Sequence, residues 1–139
     1  MSIWFKNYAV KDIVTKDTMV EHLGIEVTEL GDDYVVGTMP VDNRTKQPFG
    51  ILHGGASVAL AETLASYAGY LTIDPEKYHV VGVEINANHL KMAKRGLVIG
   101  KCNPIKIGRS TQVWQTEITN DDNELVCISR ITLMVLEKR

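Results

Sequence analysis

The stretch QPFGILHGGASVALAETLASYAGY, residues 47–70, decides how the rest of the chain is read. Pro48 and Gly50 open it as a turn. His53-Gly54-Gly55 then leads into strong helix formers: Ala56, Ala59, Leu60, Ala61, Leu64, Ala65 and Ala68. Apolar residues surround nearly the whole circumference of this expected helix. A surface helix carries one apolar stripe, so the helix is expected to be buried and wrapped by other structure. Its one carboxylate is Glu62, which shares a face with Ser66 at i+4 and Ala59 at i−3. A buried carboxylate is costly unless it is paired or put to use. The plain alternative is a glutamate that reaches the surface through a gap or hydrogen-bonds Ser66. Gly54 and Gly55 allow a ligand to approach the backbone closely, and free N–H groups at a helix start favour developing negative charge. Eight residues separate Gly54 from Glu62, or ~12 Å at 1.5 Å per residue. One ligand would more naturally meet both across an interface, which points to a dimer.

Upstream, residues 1–23 read as mostly helical. Trp4, Phe5, Val10, Ile13, Val14, Met19, Val20 and Leu23 supply an apolar face, Asp12 or Thr15 a cap, and Gly24 a stop. GIEVTEL and DYVVGTMPV, joined by Gly31-Asp32-Asp33, read as a hairpin within Gly24–Val41. Downstream, Asp74-Pro75-Glu76-Lys77 breaks the helix. Four strands are then expected: HVVGVEINANHLKMA, irregular at Gly82 and Asn88; GLVIGKCNPIKIG, interrupted at Pro104; RSTQVWQTEITN; and ELVCISRITLMVLEKR. Asn120-Asp121-Asp122-Asn123 is a turn. The order is a hairpin, one long helix and a four-stranded meander. An α+β arrangement in which an antiparallel sheet curls around the helix satisfies it.

The chain of 139 residues reads as a single domain, 1–139, with an ordinary globular composition of 45% hydrophobic and 23% charged residues. A net charge of −2 gives no electrostatic case for nucleic acid or an anionic membrane. No apolar run has transmembrane length, and the N-terminus lacks a signal peptide's apolar core, so a cytoplasmic location is expected. Cys102 and Cys127 lack CxxC spacing and read as reduced core thiols. The histidines at 22, 53, 79 and 89 show no ligand spacing, so no metal is expected.

Three motifs, in a pattern spanning nearly the whole chain, resemble the hotdog-fold thioesterases, in which an antiparallel sheet wraps one long central helix. The sharpest is Gln47-Pro48-Phe49-Gly50-Ile51-Leu52-His53-Gly54-Gly55-Ala56-Ser57 followed by Leu60-Ala61-Glu62-Thr63. The others are Gly82-Val83-Glu84-Ile85-Asn86-Ala87-Asn88-His89 and Gly108-Arg109-Ser110. The nearest branch acts on aromatic acyl-CoA and aryl-carrier-protein thioesters, 1,4-dihydroxy-2-naphthoyl-CoA among them.

The resemblance implies that Glu62 attacks the thioester carbonyl or activates water. It implies an oxyanion donor at the Gly54 or Gly55 N–H, with His53 and Gln47 orienting the thioester and Ser66 holding water or the acyl group. CoA would lie along Gly82 and Val83, along His89, Leu90, Lys91 and Met92, and along Lys106, Gly108, Arg109, Ser110 and Thr111. Lys91, Lys106 and Arg109 would be its phosphate partners. No cofactor is required, because CoA is part of the substrate. The partners implied are acyl-CoA or an acyl- or aryl-carrier protein, and a second copy in a homodimer with shared active sites. Such dimers pack back to back as a homotetramer. Two alternatives remain on the same fold: a hydratase or dehydratase, against which the missing Asp-x-x-x-x-His pattern argues, and a non-catalytic acyl-CoA sensor or scaffold.

Overall fold

The computed structural model describes residues Met1–Arg139. After a short 3-10 turn at Val10–Asp12 come helix α1 (Met19–His22), strands β1 (Glu26–Leu30) and β2 (Val35–Pro40), and helix α2 (Gly54–Leu71). Strands β3 (Tyr78–His89), β4 (Leu97–Ile107), β5 (Thr111–Thr119) and β6 (Leu125–Glu137) complete the chain. All six strands form one antiparallel sheet in the order β1-β2-β4-β5-β6-β3, with α2 in its hollow. The hairpin, the long helix and the strand-rich second half are as the sequence indicates.

The helix settles close to the sheet because two strand residues have no side chain beneath it. A Cβ on Gly37 would lie 2.6 Å from one Leu64 methyl carbon, and one on Gly100 would lie 2.8 Å from the other. Leu60, Ala61, Leu64, Ala65 and Ala68 are thereby sealed against Val35, Met39, Val98, Cys102, Trp114 and Ile118. At the far end Trp114 Nε1 donates to Gln112 Oε1 and Gln112 Nε2 donates to the Thr72 hydroxyl, both at 2.9 Å. This satisfies the buried polar groups beside the helix terminus. Cys102 and Cys127 are buried free thiols, and burial pushes the Cys102 thiol up to about 12.

Four expectations are corrected. First, the last four strands are not a meander: β3 pairs with β6 at the sheet edge, not with β4. Its burial explains this, because β3 is mostly exposed whereas β4 and β5 alternate buried residues suited to the sheet centre. Second, Asn88 continues the ladder opposite Ile128; the irregularity in β3 is the bulge between Gly82 and Glu84.

Third, residues 1–18 are a mainly extended strap rather than a helix, and α1 is a single turn preceded by Thr18 rather than capped by Asp12 or Thr15. Val10, Ile13, Val14 and Thr15 are weak helix formers, and tertiary contacts fix the strap instead. The Trp4 ring stacks on Trp114 with centroids 6.4 Å apart, and its Nε1 donates to the Gly31 carbonyl at 2.7 Å. The Phe5 N–H donates to the Leu71 carbonyl at 2.7 Å. Fourth, α2 is not buried all round: Glu62 and Tyr70 are exposed, and Ala59, Thr63, Ser66 and Tyr67 are half-buried. One concave sheet covers one side of a helix only.

Leu64 is fully buried and seated against Gly37 and Gly100, so its truncation leaves a cavity in the core. Leu64→Ala is expected to lower the unfolding free energy by about 2–5 kcal/mol. Urea denaturation followed by far-UV circular dichroism checks this; a loss below about 1 kcal/mol would mean the site collapses around the gap.

Candidate active site

The first turn of α2 carries a single uncommitted backbone donor. His53 is the N-cap, and its Nδ1 accepts from the Gly55 N–H at 2.8 Å. The N–H groups of Ala56 and Ser57 donate to the His53 carbonyl. Only the Gly54 N–H among these has no acceptor in the chain. Of the two glycines named as oxyanion donors, Gly55 is therefore engaged and Gly54 is free. With Nδ1 accepting, the proton of a neutral His53 ring resides on Nε2.

Gly54 opens onto a recess of about 540 Å³ whose lining includes Gln47, Ser57, His89, Lys91 and Met92. His89 lies against the helix start: a Cβ on Gly54 would sit 2.9 Å from His89 Nε2. Gln47 is held by its own turn, its Oε1 accepting from the Phe49 N–H, so its amide nitrogen is the group left to donate. His53 is not in this recess. It faces a shallower one on the other flank of the helix, together with Gly55, Met19 and Ala59.

Glu62 stands a little over two turns further along, in a recess it shares with Ser66, Ala59, Thr63, Tyr67 and Met19. The common lining of Met19 and Ala59 joins it to the recess of His53. The carboxylate leans toward β3, where a Cβ on Gly82 would lie 3.5 Å from Glu62 Oε2. It is exposed and makes no salt bridge or hydrogen bond within the chain. An unpaired carboxylate on an otherwise apolar helix can act as a base or a nucleophile. Within one chain, however, Glu62 and the Gly54 N–H line different recesses.

The residues named for CoA fall into two groups. His89, Leu90, Lys91 and Met92 lie at the Gly54 recess. Lys106, Gly108, Arg109, Ser110 and Thr111 form the β4–β5 turn, in register with Met134 and, one strand over, with Val81 beside Gly82 and Val83. Seven residues of β3 separate Gly82 from His89, or ~23 Å at about 3.3 Å per residue. Gly82 thus belongs beside Glu62 rather than beside His89. Lys91 is paired with Glu124 at 2.9 Å, so its ammonium is already neutralised in part. Glu124 holds the Lys91 ammonium above its ordinary range, and Lys91, with Asn120, holds the Glu124 carboxyl below its own. Two contributors escaped the sequence reading. Ser57 had a legible signal, lying at i+3 from Gly54 on an N-terminal helix face. Met19, which meets the helix from the strap side, had none.

A family model described as "Thioesterase superfamily" matches residues 49–127. The chain is 48% identical over 136 residues to the 1,4-dihydroxy-2-naphthoyl-CoA hydrolase of Escherichia coli, covering 96% of this chain and 99% of that one. It is equally, 48%, identical to the proofreading thioesterase EntH of Cronobacter turicensis, covering 96% and 98%. The crystal structure of a thioesterase from Haemophilus influenzae superposes with a TM-score of 0.94 at 47% identity, covering 97% of this chain and 95% of that one.

The contact between Gly54 and His89 gives a direct structural test. In Gly54→Ala the new methyl group enters the space of the His89 ring, while the helix loses no hydrogen bond, so stability should change by under about 1 kcal/mol. In heteronuclear NMR spectra the His89 imidazole signals should shift more than those of His22, His53 or His79. Unmoved His89 signals would contradict the contact.

Proposed function

The chain belongs to the thioesterase superfamily and is a thioester hydrolase of hotdog fold, and on that footing we propose how and on what it acts. The substrates are aromatic acyl-CoA or aryl-carrier-protein thioesters, with 1,4-dihydroxy-2-naphthoyl-CoA among the candidates. The products are the free acid and the thiol. One observation carries the reading: an exposed, unpaired Glu62 on an apolar helix whose start presents one free N–H, at Gly54.

The Gly54 N–H and the positive end of α2 stabilise the oxyanion that forms as the thioester carbonyl becomes tetrahedral. The Gln47 amide and the His53 Nε2–H orient the substrate. Glu62 supplies the electron pair, either by attacking the carbonyl carbon to give an anhydride or by taking a proton from the attacking water. In both routes the carbonyl re-forms as the C–S bond breaks and the thiolate leaves, to be protonated with a proton that comes from the water; in the anhydride route that water then cleaves the anhydride, releasing the acid and restoring the Glu62 carboxylate.

The two halves of the site meet across a two-fold axis. β3 is a 12-residue strand with its outer edge unpaired, and such an edge invites a second strand. Antiparallel pairing of β3 with its copy sets Glu62 of one protomer opposite Gly54 of the other. The same axis brings the His89–Met92 end of one chain toward the Gly82 and β4–β5 end of its mate, giving CoA one continuous bed. Val81, Met134 and Leu136, exposed on the sheet, supply apolar ground for two such dimers to pack back to back.

Hydrolysis of benzoyl-, hydroxybenzoyl-, 1,4-dihydroxy-2-naphthoyl-, hexanoyl- and palmitoyl-CoA, followed by thiol release, tests the substrate and the residue together. Aryl esters should turn over fastest, and Glu62→Ala should lose about 10²–10⁴-fold in kcat with its fold intact. Full activity in that variant would remove Glu62 from the mechanism. For the shared site, Glu62→Ala and Gln47→Ala proteins, whose altered residues lie in the two different recesses, are unfolded together and refolded as a mixture. Roughly a quarter of wild-type turnover should return, because half the dimers are mixed and each has one intact site of two. No recovery would place the whole site within one chain.

A further inference from the structure

One hydroxyl in the first turns of α2 is free where others on the helix are committed. A serine or threonine within a helix ordinarily turns its hydroxyl back to a carbonyl three or four residues earlier. Thr63 does so, donating to the Ala59 carbonyl at 2.6 Å, and at the C-cap Thr72 donates to the Gly69 carbonyl at 2.7 Å. For Ser57 the carbonyl four residues earlier is that of His53, and it is already taken. The N–H groups of Ala56 and of Ser57 itself donate to it, at 3.0 and 3.3 Å. A carbonyl oxygen has two lone pairs, so none is left there for the hydroxyl. The Ser57 hydroxyl makes no hydrogen bond within the chain.

Ser57 is nonetheless buried, only 2% exposed. The one buried side-chain oxygen or nitrogen in the chain that is both sealed and without a partner is the Tyr8 hydroxyl. The Ser57 hydroxyl is therefore not sealed, and what it reaches is the recess that Ser57 lines with Gly54, Gln47 and His89. Spacing and direction bring it to the Gly54 donor. Residues three apart share a helix face, and each Cα–Cβ bond tilts toward the helix N-terminus, so a side chain covers the turn before its own Cα. The hydroxyl thus lies over the turn that begins at Gly54, whose N–H is the uncommitted one. The Gly54 N–H and the Gln47 amide nitrogen are both donors, so an atom they hold in common is an acceptor. A hydroxyl beside them, free to rotate, joins the set as a donor.

We infer that the Ser57 hydroxyl is a second, side-chain donor to the substrate's carbonyl oxygen, acting with the Gly54 N–H as negative charge develops there. The inference rests on the thioesterase reading above and adds to it a catalytic residue. The hydroxyl keeps its proton throughout. Its hydrogen bond strengthens as the carbonyl becomes an oxyanion and relaxes when the carbonyl re-forms. In the bound ester this bond replaces one to water, and its value grows with the charge on the oxygen. Ser57 therefore acts on kcat rather than on binding.

The test compares wild type with Ser57→Ala and with Ser57→Cys, which keeps a polar hydrogen but is a much weaker donor. On the aryl-CoA ester that wild type hydrolyses fastest, both variants should lose about 10²-fold in kcat, with KM within about twofold of wild type. Ser57→Ala should melt no lower than wild type, since it deletes an unpaired hydroxyl and alanine is the better helix former. A raised KM at unchanged kcat would put the hydroxyl on the thiol arm of the substrate, and no change in either would leave it idle. Each of these outcomes overturns the inference and leaves the thioesterase reading standing. A second measurement needs no turnover. Benzoyl-CoA isotope-labelled at the carbonyl is bound to Glu62→Ala and to the Glu62→Ala, Ser57→Ala double variant, and infrared difference spectra record its carbonyl stretch. The band should lie at higher wavenumber in the double variant, where one donor is gone; the same position in both overturns the inference. If wild type hydrolyses none of the esters, the thioesterase reading falls, and the carbonyl band alone decides whether Ser57 meets that oxygen.

Discussion

Everything in this structure follows from how closely α2 lies on the sheet. Leu64 rests on Gly37 and Gly100, where the strands have no Cβ to hold it off. That contact sets the depth of the hollow, and the depth decides which helix positions are sealed. Leu60, Leu64 and Ala68 are removed from water completely. The burial is favourable at roughly 25 cal/mol per Å² of apolar surface. A sheet this closely applied has no reach left to wrap the far side, so the stripe through Ala59, Glu62, Ser66 and Tyr70 stays open in the single chain.

That open stripe is where the chemistry can be. A carboxylate beneath the sheet would be desolvated and driven toward its neutral form. Placed on the open stripe, Glu62 is water-accessible and can be covered by a second copy. The edge position of β3 serves the same end. As a central strand it would have had both its edges paired. At the sheet boundary it carries Gly82, next to the carboxylate, to the margin where another subunit can join. The glycine also keeps that approach clear, since any larger residue would stand within van der Waals reach of Glu62 Oε2.

The parts legible in the sequence are those specified locally. The limits of α2, the hairpin turn at Gly31-Asp32-Asp33 and the alternation of β5 depend on residues a few positions apart, and the structure has them where the sequence puts them. What depends on distant partners was not legible. The place of β3 is decided by β6, some 40 residues later, and the strap is extended because Trp4 finds Trp114. Alanines around α2 suggested full burial, but alanine is compatible with either a sealed or an open face. The CoA residues read as one set because they lie on neighbouring strands in the sequence pattern, yet strand length alone holds the two groups apart in one chain.

The helix start shows why a histidine suits position 53 in the proposed mechanism, apart from any contact with substrate. A helix begins with several N–H groups that lack intrahelical partners, and unassigned donors would compete for a carbonyl oxygen in more than one geometry. His53 removes that ambiguity. Its carbonyl takes the N–H groups of Ala56 and Ser57, and its Nδ1 takes that of Gly55. The substrate oxygen then meets one backbone donor, at Gly54, aligned with the helix dipole. The bond at Nδ1 also fixes the ring and its proton, so the Nε2–H points in a defined direction. Serine or aspartate at this cap could accept from the helix start equally well. Neither could accept there and still present a second, rigidly placed donor to the flank of the helix that leads to Glu62.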